Sequence, residues 1–64
     1  MALDRITFDP NILGGRASIR GMRISVSLIL KMLAGGMTRE RILDEYPDLE
    51  SADIDQAVVY AARA

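Results

Sequence analysis

The 64-residue sequence has no cysteine, no histidine and no tryptophan, and only two prolines, one phenylalanine and two tyrosines. Without cysteine there is no disulfide and no thiolate metal site. Without histidine the commonest metal ligand and the usual general base at neutral pH are gone. No metal site and no cofactor is therefore expected, and the chain is not expected to be an enzyme. Long hydrophobic runs are missing too. Its apolar stretches are a few residues each, far short of the about 20 that span a bilayer. The opening Met1-Ala2-Leu3-Asp4-Arg5 lacks the basic-then-apolar layout of a signal peptide. No membrane contact is expected, and the cytoplasm is the expected location.

Half of the residues are hydrophobic and 27% are charged, a globular composition. The length predicts a single domain over 1–64, and one this small hides only about 60% of its unfolded surface. The net charge of −1 conceals a split. Residues 1–37 carry Arg5, Arg16, Arg20, Arg23 and Lys31 against Asp4 and Asp9, a net +3. Residues 38–64 carry Arg39, Arg41 and Arg63 against seven acids, a net −4. Such a split can place phosphate on one face and a basic partner on the other.

The local pattern predicts two short strands and then three helices. Ile6-Thr7-Phe8 alternates apolar and polar, and Asp9-Pro10-Asn11 stops it with turn chemistry. Gly14-Gly15 marks a loop, Ala17–Arg20 reads as a second strand, and Gly21 punctuates it. Together these make a β arm over 5–24. Ser25 is the expected N-cap of a helix over about 26–35, with Ile24 and Ile29 at the staple positions and Gly35-Gly36 as terminator. Thr38 opens a second helix over about 39–46, which Pro47 ends. Ser51 is the expected cap of a third over about 52–63, with Asp53 complementing its dipole. Ile54, Ala57, Val58 and Ala61 form the expected inward stripe, leaving Val59 and Tyr60 outside it.

Apolar residues exceed what so small a core can bury, and small domains with such an excess commonly oligomerise. A homodimer is expected. Its expected seam is the strand edges, with Ile6, Phe8, Ile19, Val59 and Tyr60 as contact residues.

A glycine-closed turn, a Thr-capped helix, a short break and a Ser-capped helix are the punctuation of a helix-turn-helix. The third helix would be the recognition helix, and Ser51 and Gln56 offer base-reading side chains. Asp48, Glu50, Asp53 and Asp55 surround its tip, however, and carboxylates repel phosphates. Phosphate contacts then fall to Arg16, Arg20 and Arg23 on the arm, with Arg39 and Arg41 early in the second helix. The alternative for these arginines is surface pairing with Asp9, Glu40 or Asp44, which adds little stability. The four acids are equally candidates for holding a protein partner. Gly14-Gly15 lacks the further glycine and the lysine of a phosphate loop. Asp44 and Glu45, adjacent on a helix, do not face each other as a catalytic pair would.

Several strings place the chain beside a known family: Ile6, Asp9-Pro10, Gly14-Gly15-Arg16, the run Ile19–Val26, Leu33–Thr38, Ile42-Leu43, Tyr46-Pro47-Asp48-Leu49, Asp53-Ile54 and Ala57. In this combination and spacing, over residues 6–62, the chain resembles domain of unknown function 433, a family similar to VapB-type antitoxins. The resemblance implies a mainly α, homeodomain-like three-helix bundle with a short two-stranded N-terminal β arm. It also implies an antitoxin that neutralises a PIN-like ribonuclease toxin and binds promoter DNA to regulate its own operon. Met22 departs from the family, which usually has a small hydroxyl residue there. No tail follows the third helix in this sequence, so toxin contact would fall to the folded surface, with the acidic second and third helices facing a basic nuclease cleft. A dimeric interaction module without DNA binding is the alternative.

Overall fold

The computed structural model describes residues 2–64. Strand β1 (Ile6–Thr7) pairs antiparallel with β2 (Ser18–Ile19), with Ile6 opposite Ile19 and Thr7 opposite Ser18. Helices α1 (Val26–Ala34), α2 (Arg39–Glu45) and α3 (Ser51–Arg63) follow. The molecule is thus mainly helical, with a small N-terminal sheet, as the sequence pattern predicts.

Local chemistry sets the helix ends. The Ser25 hydroxyl accepts from Leu28 N–H at 3.0 Å, and the Thr38 hydroxyl from Arg41 N–H at 3.1 Å. After α1, Gly36 takes φ +92. Met37 N–H then returns to the Met32 carbonyl and Gly36 N–H to that of Leu33, the double closure of a Schellman motif. Tyr46, ahead of Pro47, leaves helical geometry at φ −125, ψ 76, so α2 stops one residue short of the expected 46. The α3 expectation is corrected by one residue: Glu50 is the N-cap and Ser51 is the first helical residue.

The arm is tied on both flanks. Ser18 bridges to Ser25 on the side away from β1, Ile19 N–H donates to the Ile24 carbonyl, and Val26 N–H donates to that of Ala17. The link is the turn Ile19–Met22, closed by Met22 N–H on the Ile19 carbonyl at 2.8 Å. Both central residues, Arg20 (φ 47) and Gly21 (φ 71), are left-handed, as in a type I′ turn. Glycine takes this conformation freely; Arg20 does so against its Cβ, held by contacts described below.

Ile19, Ile29, Ile42 and Ile54, one from β2 and one from each helix, are the largest fully enclosed apolar side chains. Ile6, Val26, Leu49 and Ala57 complete the core. Two expectations fail here. Ile6 and Ile19 are enclosed in this core, so neither side chain is available as an intermolecular contact, and β2 is already bonded on both sides. Val58, expected inward, is 43% exposed. The buried side of α3 is centred instead on Asp53, Ile54, Gln56 and Ala57.

Candidate interaction surfaces

Asp53 is completely enclosed, and its carboxylate is the hub of the polar structure. Its Oδ1 accepts from Arg20 Nε at 3.0 Å and Arg5 Nη1 at 3.0 Å; its Oδ2 accepts from Arg20 Nη2 at 2.8 Å and Glu50 N–H at 2.8 Å. Arg20 therefore grips it with two nitrogens, the bidentate geometry that favours arginine over lysine. Arg20 Nη2 also donates to the Asp48 carbonyl at 2.7 Å, and Arg5 pairs with Glu50. The positive φ of Arg20 is what aims its guanidinium along this path.

Beside the cluster, Gln56 is 93% buried and bridges the arm: its Oε1 accepts from Arg5 N–H at 2.9 Å, and its Nε2 donates to Asp4 Oδ1 at 2.8 Å. Every buried side-chain nitrogen and oxygen among the described residues has a partner, the condition under which buried polar groups are tolerated. Burial pushes the Asp53 carboxyl up, but the bonds from Arg20, Glu50 N–H and Arg5 outweigh it and hold it below the usual carboxylate range. Arg5 lowers Glu50 and Gln56 lowers Asp4. The Arg5 guanidinium is raised chiefly by Glu50, and that of Arg20 by Asp53.

This geometry corrects several site expectations. Arg20 is committed to Asp53 and is not a free phosphate contact. Gln56 is inside and cannot read a base. Asp53 is inside and cannot meet a partner. Arg39 donates to the Ser51 carbonyl and hydroxyl and pairs with Asp55 at 2.8 Å, so Arg39, Ser51 and Asp55 engage one another across the α2–α3 junction. Arg41 pairs with Glu45 one turn along α2. These arginines pair with acids other than the expected Asp9, Glu40 and Asp44. Arg16 is exposed, with Nε on the Leu13 carbonyl at 3.0 Å. Arg23 is exposed, with no ion pair among the described residues. Of the three arm arginines, Arg20 is thus neutralised by Asp53, and Arg16 and Arg23 keep their charge unpaired among the described residues.

Nothing local marks Arg5 and Asp4 as anchors, because their partners lie about fifty residues away. The one local clue was Asp53 three residues after Glu50, the spacing of a capping box.

Two surfaces stay uncommitted. On the acidic side, Glu40 and Asp44, one turn apart on α2, and Asp48 beyond it are exposed and carry no ion pair among the described residues. On the apolar side, Phe8 is 59% exposed, with its ring centroid 6.0 Å from that of Tyr60. Tyr60 in turn lines a groove of about 350 Å³ between the start of α1 and the end of α3, walled by Ala17, Val26, Leu30 and Ala61 with Arg16 at its edge. Val59 is half-buried. Among the described residues no three Asp or Glu side chains converge to hold a metal ion, and no helix is long and apolar enough to cross a membrane.

A sheet-armed three-helix domain with this closure is a known architecture. The chain belongs to the family of proteins of unknown function DUF433, whose model matches residues 6–61. It is 37% identical over 60 residues to the uncharacterized protein y4eO of Sinorhizobium fredii, spanning 94% of this chain and 27% of that relative. The crystal structure of a DUF433 member from Anabaena variabilis superposes with a TM-score of 0.88 at 30% identity, over 94% of this chain and 59% of the other. The chain thus covers well under two thirds of either relative.

Proposed function

We propose that the chain is a non-enzymatic, antitoxin-type regulator that acts in the cytoplasm as a homodimer. It neutralises a PIN-like ribonuclease toxin by placing the acidic outer side of α2 and the following turn against the basic cleft of the nuclease. Uncommitted charge carries this reading. The arginines Arg5, Arg20, Arg39 and Arg41 are engaged by acids of the same chain, whereas Glu40, Asp44 and Asp48 are exposed and, among the described residues, free of ion pairs. Of the acids expected to meet a partner, Asp48 stays available, and α2 supplies the other two. A ribonuclease holds a polyanion, so an acidic ridge complements its cleft and speeds encounter with it. The resemblance of the sequence strings to a family similar to VapB-type antitoxins is in keeping with this reading.

The neighbouring reading frame should then encode a PIN-like ribonuclease, and the test is co-expression of this chain with that nuclease. The wild type should relieve growth arrest and co-purify with the nuclease. Reversing Glu40, Asp44 and Asp48 to lysine together should abolish both while leaving the helical spectrum intact. Undiminished relief by the reversed protein would sink the assignment.

DNA binding at the operon is the second reading, favoured by the short junction between α2 and α3 and by the exposed Arg16 and Arg23. Arg39 and Arg41 sit in solvent-exposed pairs, which are weak and exchangeable for phosphate. With Gln56 buried, such binding would be mainly to phosphates and steeply salt-dependent. Titration of the promoter fragment across a salt series tests it. Absence of binding at low salt, or indifference to replacing Arg16 and Arg23, removes this half.

A further inference from the structure

The apolar groove beside Tyr60 belongs neither to the ion cluster nor to the acidic ridge. We propose that it seats Phe8 of a second copy of this chain, and that the reciprocal contact forms a two-fold dimer. The proposal names the surface for the homodimer put forward above and rests on that part of the reading; the toxin-facing ridge is not involved.

A two-fold interface needs one patch that is complementary to itself. Here the projecting group and the recess are neighbours: Phe8 touches Tyr60, and Tyr60 is a wall of the groove. A large aromatic exposed over more than half its surface, next to an unfilled apolar recess of about 350 Å³, has the form of a buried interface anchor and its pocket.

Charge points to the same occupant. Arg16 lines the groove, and among the described residues only its Nε has a partner, leaving both terminal nitrogens open. Asp9 directly follows Phe8 and spends Oδ1 on Asn11 N–H, with no cation paired to it among the described residues. A copy that inserts Phe8 brings its Asp9 to the edge where Arg16 waits, and the symmetry makes the pair twice. Such rim pairs add little energy, but they fix orientation. A standard interface covers about 800 Å² per partner, a fifth of the 3992 Å² this chain exposes. A Phe8-centred contact on so small a surface makes a dimer of micromolar strength rather than an obligate one.

The experiment is sedimentation of the purified full chain, alone, from about 5 to 500 µM. The wild type should pass from monomer to dimer across this range. Phe8→Ala and Ala61→Glu, each checked for an unchanged helical spectrum, should weaken association at least tenfold, on the order of an interface anchor's loss. Asp9→Arg and Arg16→Asp should each weaken it about threefold, and the double swap should restore it to within about twofold. A wild type monomeric throughout, a dimer indifferent to Phe8→Ala and Ala61→Glu, or a swap that fails to restore association overturns the proposal. A monomer that still relieves toxin arrest would refute the dimer alone. A dimer that does not relieve it would refute the toxin contact alone.

Discussion

Asp53→Asn removes one charge from the centre of the molecule and changes almost no volume. The wild-type carboxylate accepts four hydrogen bonds from Arg20, Arg5 and Glu50 N–H with no exposed surface. An amide accepts on one atom only and turns an NH₂ toward donors on the other. Removing one partner of a buried ion pair costs about 3–5 kcal/mol. The arginine side chains here are 28% and 36% exposed and can rehydrate, so the lower figure of about 2–3 kcal/mol is expected. A chain of this length has about 3–10 kcal/mol in total, and the melting temperature should fall by roughly 10–20 °C. Urea denaturation followed by circular dichroism measures the loss, with the m-value unchanged if the native state stays as compact. A destabilisation below about 0.5 kcal/mol would refute a structural role for the cluster. The triple variant Arg5→Met, Arg20→Met, Asp53→Leu separates the two contributions. Apolar replacement of a whole buried cluster is often neutral or better, so it should regain much of the loss unless capping of Glu50 N–H is the larger part.

The same carboxylate governs acid stability. The folded-state values of Asp53, Glu50 and Asp4 are lowered, so their contribution is complete above about pH 5 and is lost as pH falls below about 4 through those values. Urea midpoints against pH should show this limb, and Asp53→Asn should flatten it. Thr38→Ala removes the acceptor for Arg41 N–H and should cost about 1 kcal/mol, read as a lower urea midpoint. At Gly36→Ala a Cβ would meet nothing within 4 Å, so the cost is that of the φ of +92 alone, about 1–2 kcal/mol; a neutral result would contradict the left-handed closure of α1.

Local chemistry was legible and distant pairing was not. The hydroxyls of Ser25 and Thr38, the Gly35-Gly36 pair and Pro47 act within one helical turn, so their types alone place the helix ends to within a residue. Asp53 reads locally as an acid at a helix start, which it is; that Arg20 and Arg5 close over it depends on contacts 33 and 48 residues away. Gln56 looked like an exposed polar group because its two partners, Asp4 and the Arg5 N–H, lie at the other end of the chain. The misplaced stripe on α3 has the same origin. Periodicity counts only apolar positions, and here two polar residues that satisfy each other's surroundings rotate the buried face and turn Val58 outward. The strand seam failed because two-residue strands look unpaired in sequence, whereas residues 24–26 return to cover β2.

Phe8 and Arg16 both belong to the arm, which is held to α3 by Asp53 and Gln56 and to the start of α1 by the bonds between β2 and residues 24–26. The proposed dimer contact therefore depends on an ion cluster it does not touch. With the arm loosened, Phe8 and the Tyr60 groove no longer keep a fixed spacing, and association must supply the ordering entropy that the cluster supplies in the wild type. Asp53→Asn, assayed well below its melting temperature, should weaken self-association while leaving Phe8, Asp9, Arg16 and the groove chemically intact. Hydrogen exchange should report faster opening of the arm amides, Arg5 N–H among them, than of the α1 amides. Glu40 and Asp44 lie on α2, which is joined to α3 by the Arg39 contacts, and only Asp48, through its carbonyl on Arg20, is linked to the cluster, so toxin contact by the folded fraction should fall less than self-association does. If Asp53→Asn left self-association at wild-type strength while arm exchange rose, the arm would not be what positions the interface.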